Sequence, residues 1–236
     1  MATRAAYMAA TEPGMADPAQ PLRLVIFDFD GTLSDSGGWF LSIIDHLSDR
    51  YNFRRVHPDE IEPLRKMTSR DVISHLRIPR WKLPFISRYV RKLFGRNTDK
   101  VHLFAGVTEM LVAIEAMGIP LALVTSNSEA NARAVLGPEN AARFSWWACG
   151  ASLFGKAPKF RKILRQSGVP AAQIMSLGDE TRDIDAAREV GIRAAAVLWG
   201  YAEPEAFAHL NPDLAFATPG DVVTYVAASA EMDRQP

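Results

Sequence analysis

The chain has 236 residues, close to half of them hydrophobic, which is enough for one sizeable domain or a domain with a smaller insertion. Its 27 basic and 27 acidic side chains cancel, so net charge gives no drive toward nucleic acid or an anionic membrane. A single cysteine, Cys149, excludes an internal disulfide and a cysteine-rich zinc site, and one thiol suits a reducing cytoplasm.

The opening twenty residues are small and polar, interrupted by Pro13, Gly14 and Pro18, and read as a disordered tail. They hold no apolar run of signal-peptide length, and no stretch in the chain is long and apolar enough for a predicted membrane span. Leu22 to Phe27 then reads as a buried strand that ends abruptly in Asp28 and Asp30. Helices are predicted over Trp39 to Arg50, Asp59 to Met67, Ser69 to Arg77 and from Pro84 to Gly95. Beyond Val107 the rhythm changes to helix and strand in alternation. Strands are predicted at Ile119 to Val124, Phe144 to Ala148, Ile174 to Leu177, Arg193 to Leu198 and Leu214 to Ala217. The helices between them are Val107 to Met117, Glu129 to Leu136, Pro158 to Gln166 and Arg182 to Val190, with a last one near Asp221 to Ala228.

Such alternation predicts an α/β fold, a Rossmann-like three-layer parallel sheet wrapped by helices. On this reading residues 21–36 and 101–236 form the core, and 37–100 form a small all-helical insertion after the first strand. Residues 51–100 carry thirteen Lys or Arg against five Asp or Glu, so the insertion is basic and the core acidic. A basic cover over an acidic site suits an anionic substrate held near a metal, although a solvated helical surface has the same composition.

Four places can carry chemistry. In parallel sheets ligands bind beyond the carboxyl ends of strands. Asp28 stands at such an end, where a carboxylate can attack an electrophile or hold a divalent cation. Asp30 faces the same crevice if the chain bends at Gly31, and Mg²⁺ would relieve the repulsion between the two. Leu121 to Val124 runs into Thr125, Ser126 and Asn127, whose hydroxyl and backbone N–H groups can bind phosphate oxygens or simply cap a helix. Lys156 and Lys159 can neutralise carboxylates and bind phosphate as point charges, or lie on the surface. Finally, Ile174 to Leu177 ends in Gly178 and Asp179, with Asp183 four residues on, and two carboxylates so spaced can approach one cation.

That set, in that order, resembles the haloacid dehalogenase superfamily of phosphotransferases. Asp28 to Leu33 (DFDGTL) matches its first motif, Thr125 its second, Lys156 its third and Gly178, Asp179 and Asp183 its fourth. Lys159 is a rival for the third. The stretch from Gly191 onward, with Trp199, Gly200 and Tyr201, is similar to the phosphoglycolate phosphatase-like branch, whose helical cap the insertion resembles.

The resemblance implies an Mg²⁺-dependent phosphatase for a small phosphate monoester. It makes Asp28 the nucleophile that forms an aspartyl-phosphate, and Asp30 the general acid and then base. Asp28, the backbone carbonyl of Asp30, Asp179 and Asp183 would hold or flank the metal, while Thr125, Ser126, Asn127 and Lys156 would hold the phosphoryl group. Asp30 favours phosphate ester hydrolysis or a phosphomutase over dehalogenation. The segment Met67 to Ile73 faintly resembles a sugar phosphomutase cap loop but also reads as a helix start. Arg70, Arg77, Arg80 and Lys82 are candidates to meet a second anionic group on the substrate. A non-catalytic or protein-directed role, and a nucleic-acid or membrane role for the basic helix after Phe85, are the other readings. The former would be marked by loss of Asp28, and the apolar residues of that helix suit a cap core.

Overall fold

The protein is described by a computed structural model covering residues 20–150, 155–207 and 209–232. The predicted N-terminal tail lies outside these residues, apart from Gln20. Six strands form one parallel sheet: β1 (Leu24–Phe27), β4 (Leu121–Val124), β5 (Phe144–Ala148), β6 (Ile174–Gly178), β7 (Arg193–Val197) and β8 (Leu214–Phe216). Their order is β5-β4-β1-β6-β7-β8. The first strand is central because all four of its residues are buried, as a strand covered on both faces requires. It pairs with β4 through Val25 and Leu121 on one side and with β6 through Leu24 and Ile174 on the other.

The alternation of side chains along β1 feeds two cores. Val25 and Phe27 pack in one with Met110 and Ile114 of α5 (Val107–Ala116) and Val226 of α9 (Pro219–Met232). Leu24 and Ile26 pack in the other with Phe160 and Ile163 of α7 (Ala157–Ser167) and Ile184 of α8 (Thr181–Glu189). Truncating a fully buried ring such as Phe160 to alanine would cost about 3–5 kcal/mol. The three predicted layers are thus present. Because β4 and β6 flank β1 on opposite sides, the chain diverges at the end of β1 and opens a crevice there.

The structure differs from the expected elements at several points. A two-residue antiparallel ladder, β2 (Ser34–Asp35) with β3 (His102–Leu103), was not foreseen, since two residues carry no periodicity. It brings together the two ends of the helical segment, α1 (Gly37–Tyr51), α2 (Ile61–Arg65), α3 (Ser69–His75) and α4 (Leu83–Phe94). The helix expected over Glu129 to Leu136 does stop there, since Gly137 leaves helical backbone with φ of +74°; what was not expected is the further helical stretch from Pro138, which completes α6 (Glu129–Ala142). The last helix begins at Pro219 and runs to Met232 rather than spanning only Asp221 to Ala228.

Trp39 of α1 and Phe94 of α4 meet edge to face with centroids 4.9 Å apart, and Phe94 also meets Phe29 of the first loop. These rings join the base of the helical segment to the sheet. Within the Met67 to Ile73 stretch, the Thr68 hydroxyl accepts from the Asp71 N–H at 3.2 Å, so the segment starts a helix. No described helix is long and apolar enough to cross a membrane.

Candidate active site

Asp28 follows β1, Thr125 follows β4 and Asp179 follows β6, so three neighbouring strands deliver polar groups to one crevice. Asp28, Asp179 and Asp183 are buried, and one carboxylate oxygen from each lies within 4.8 Å of the others. Lys156, at the N-terminal end of α7, reaches into this group. Its ammonium stands 2.7 Å from Asp28 Oδ2 and also contacts Asp183. Burial pulls this ammonium down, but Asp183 and Asp28 outweigh burial and hold it above the usual lysine value.

The loop after β1 and the turn after β7 grip Asp179. Thr32 Oγ1 donates to Asp179 Oδ1 at 3.1 Å, and the Tyr201 N–H donates to Oδ2 at 3.1 Å. Trp199 Nε1 donates to the Thr32 carbonyl at 2.9 Å and fixes that loop. Gly31 has φ of +81°, and a Cβ on it would fall inside the Asp179 carboxylate. Gly200 approaches Asp179 from the other side, where a Cβ would meet the Asp179 Cβ and the Gly31 carbonyl. Glycine is therefore required at both positions by close approach.

Asp30 is held by a different set of partners from the other three aspartates. Its Oδ1 accepts from Ser36 Oγ at 2.9 Å and its Oδ2 from Asn127 Nδ2 at 3.2 Å. Ser36 Oγ also lies 2.6 Å from the Tyr201 hydroxyl. Asn127 is held in turn, because Asn131 Nδ2 donates to its Oδ1 at 2.8 Å. Burial raises the Asp30 carboxyl above its ordinary range, and the bonds from Ser36 and Asn127 counter this only in part.

Burial also raises Asp28, and Lys156 opposes it. Asp179 is pushed well above its ordinary value by burial and then by Glu180 and Asp28. Asp183 rises to about 6, by burial partly offset by Lys156. Three buried carboxylates facing one ammonium leave an excess of negative charge. Hard oxygen donors at this spacing fit a divalent cation, whose charge would favour the ionised forms.

The structure brings together Asp28, Lys156, Asp179 and Asp183, with Asp30, Thr125 and Asn127 alongside. Thr125 is fully buried, and its Oγ1 accepts from the Asn127 N–H at 2.9 Å. Asn127, expected to bind substrate, turns its amide to Asp30. Lys159 contacts the Thr125 and Gly150 carbonyls, whereas Lys156 contacts the carboxylates. Burial, then Lys156, lowers Lys159 to about 8.

A cavity of about 750 Å³ opens above Asp30 and Asn127 between α1, α4 and the turn at Tyr201. None of Arg70, Arg77, Arg80 and Lys82 lines it; the cations that do are Arg65, Arg91 and Arg182. Lys82 instead donates to the Tyr51 carbonyl at 2.6 Å. The contributions of Ser36, Asn131 and Tyr201 were not foreseen. Their signal is spatial, since Ser36 and Tyr201 are 165 positions apart.

The family described as haloacid dehalogenase-like hydrolase matches residues 25–197. A phosphoglycolate phosphatase of Synechococcus elongatus is 29% identical over 206 residues, covering 87% of this chain and 97% of that protein. An N-acetylmuramic acid 6-phosphate phosphatase of Pseudomonas aeruginosa is 24% identical over 217 residues, covering 86% and 93%. Among solved structures, a haloacid dehalogenase-like family hydrolase of Streptococcus pneumoniae aligns with a TM-score of 0.71 at 20% identity, covering 86% of this chain and 98% of that one. CbbY of Rhodobacter sphaeroides, in complex with phosphate, aligns at 0.65 and 21%, covering 85% and 96%. At these identities the solved structures speak to the fold.

Proposed function

The chain belongs to the haloacid dehalogenase-like hydrolase family, and from that premise we propose that it is an Mg²⁺-dependent phosphatase for small phosphate monoesters, with phosphoglycolate as the first substrate to test. The observation that carries this reading is the group at the carboxyl end of β1. There Lys156 pairs with Asp28 and Asp183, Asp179 lies within the same 4.8 Å cluster, and Asp30 stands two residues on.

Phosphoryl transfer asks mainly for positioning and charge neutralisation. Asp28 attacks phosphorus in line. The bond to the ester oxygen breaks, an aspartyl-phosphate forms, and Asp30 passes its proton to the departing alcohol. The raised carboxyl of Asp30 suits that donation. Asp30 then takes a proton from water, whose oxygen attacks phosphorus and frees Asp28 and inorganic phosphate. Lys156 answers charge on the phosphoryl oxygens, and Thr125 with the backbone of Ser126 orients them. Asp28, the Asp30 carbonyl and Asp179 would hold Mg²⁺, with Asp183 beside them; when bound, the ion would neutralise phosphoryl charge. The helices of residues 37–100 serve as a cap over the crevice.

The test is phosphate release from 2-phosphoglycolate and a panel of other monoesters, with Mg²⁺ and with a chelator, for wild type and Asp28→Asn. Turnover that vanishes with the chelator and with the variant supports the reading. Metal-independent turnover, or turnover retained by Asp28→Asn, overturns it.

A further inference from the structure

We propose that Arg91 selects substrates that carry a second anionic group a short distance from the phosphate, such as the carboxylate of a phosphorylated hydroxy acid. This deepens the phosphatase reading and rests on it. Arg91 belongs to α4, whose face toward the cavity comprises Leu83, Ile86, Ser87, Val90, Arg91 and Phe94. It is the one charge on that otherwise mainly apolar stripe.

Arg91 is also the one cavity-lining cation without a carboxylate partner among the described residues. Arg65 pairs with Glu62 and Glu203, and Arg182 with Glu180. Among the described residues the one side-chain hydrogen bond of Arg91 runs from Nη1 to the Ser126 carbonyl at 3.4 Å, which is long and weak. Burial, and then the neighbouring Arg88, disfavour its charge. A half-exposed guanidinium that lines the cavity with no carboxylate beside it is free to pair with an anion that enters there.

Its position limits how far that anion lies from the phosphate. Ser126 is in the loop assigned to the phosphoryl group, so the guanidinium stands beside it. The end of α4 is also tied to the catalytic loop. Asn131 Nδ2 donates to the Arg91 carbonyl at 2.9 Å and to Asn127 Oδ1 at 2.8 Å, and Asn127 in turn holds Asp30. Gly95, one turn on, packs so tightly on Asn131 that a Cβ there would lie 2.7 Å from Asn131 Oδ1. The backbone of Arg91 is thereby placed relative to Asp30 through two asparagines, and its side chain reaches the phosphoryl loop at the Ser126 carbonyl. That proximity suits a substrate whose two anionic groups are separated by a few atoms.

The experiment compares 2-phosphoglycolate with ethyl phosphate, which keeps the two-carbon body and loses the carboxylate. The readout is the ratio of their kcat/KM values in wild type, Arg91→Met and Arg91→Lys. Wild type is expected to prefer phosphoglycolate. The ratio should fall about ten- to a hundredfold in Arg91→Met, mainly through KM, and recover in part in Arg91→Lys. An equal ratio in wild type and Arg91→Met overturns the proposal even if both activities drop together, because a purely structural link to Ser126 would do that. A wild type that hydrolyses ethyl phosphate but not phosphoglycolate overturns it while leaving the phosphatase reading intact. A wild type that hydrolyses no monoester removes that reading, and the proposal with it.

Discussion

Asn127 Nδ2 donates to Asp30 Oδ2 across 3.2 Å, linking the loop after β4 to the loop after β1. The amide aims the carboxyl that the mechanism uses as acid and base, and Asn131 fixes the amide. Asn127→Leu keeps the bulk and removes the donor. It is expected to lower kcat about ten- to a hundredfold, within the range that a positioned acid or base supplies. KM for the same ester should move much less. Steady-state kinetics check this, and a change confined to KM would place Asn127 on the substrate instead.

Gly31 and Asp179 make a second close approach. With φ of +81° and the Asp179 carboxylate where a Cβ would go, Gly31→Ala is strained in backbone and in packing. The variant is expected to lose stability by about 1–3 kcal/mol and to need more Mg²⁺ for half-maximal turnover, because Asp179 must shift. Chemical denaturation and a metal titration measure the two effects. Gly118→Ala is the control, since its φ of +77° is similar but no atom lies within 4 Å of the added Cβ. It should share the loss of stability without the change in metal requirement.

Glu60 fastens the helical segment, accepting from Arg54 and lying 3.3 Å from His75 Nε2. The Arg54 bond, and then the His57 N–H, hold its carboxyl down at about 2, below the ordinary value of 4.5. A carboxyl lowered by folding contributes stability that is fully present above its unfolded value and lost as pH falls through its folded one. Glu60→Gln should therefore be less stable than wild type at pH 6, with the difference shrinking between about pH 4.5 and 2. Denaturation midpoints across that window check the slope; a constant difference would show that the charge on Glu60 is not the cause.

Much of the sheet was legible because parallel strands buried on both faces leave continuous apolar runs, as at Leu24 to Phe27 and Leu121 to Val124. Asp28 and Asp179 were legible for the same reason, since each stands at the end of such a run, and Asp30 and Asp183 follow them within four residues. What was not legible depends on pairings distant in sequence or on residues too few to show a period. The β2–β3 ladder is two residues long. The contacts Ser36–Tyr201 and Asn131–Arg91 join segments that only the fold brings together. The basic residues of the insertion misled for a related reason. Charge density marked Arg70, Arg77, Arg80 and Lys82, but only the helix register shows that Arg91 lies on the cavity stripe of α4.

The central claim is that Asp28 carries the phosphoryl group. It is tested most directly by mixing enzyme, Mg²⁺ and substrate, quenching in acid, reducing the acyl-phosphate with borohydride and mapping the modified peptide by mass spectrometry. The account predicts reduction of Asp28 to the homoserine derivative only when substrate and Mg²⁺ are both present, and none in Asp28→Asn. Steady turnover with Asp28 unmodified, or the modification found on another carboxylate, would contradict it.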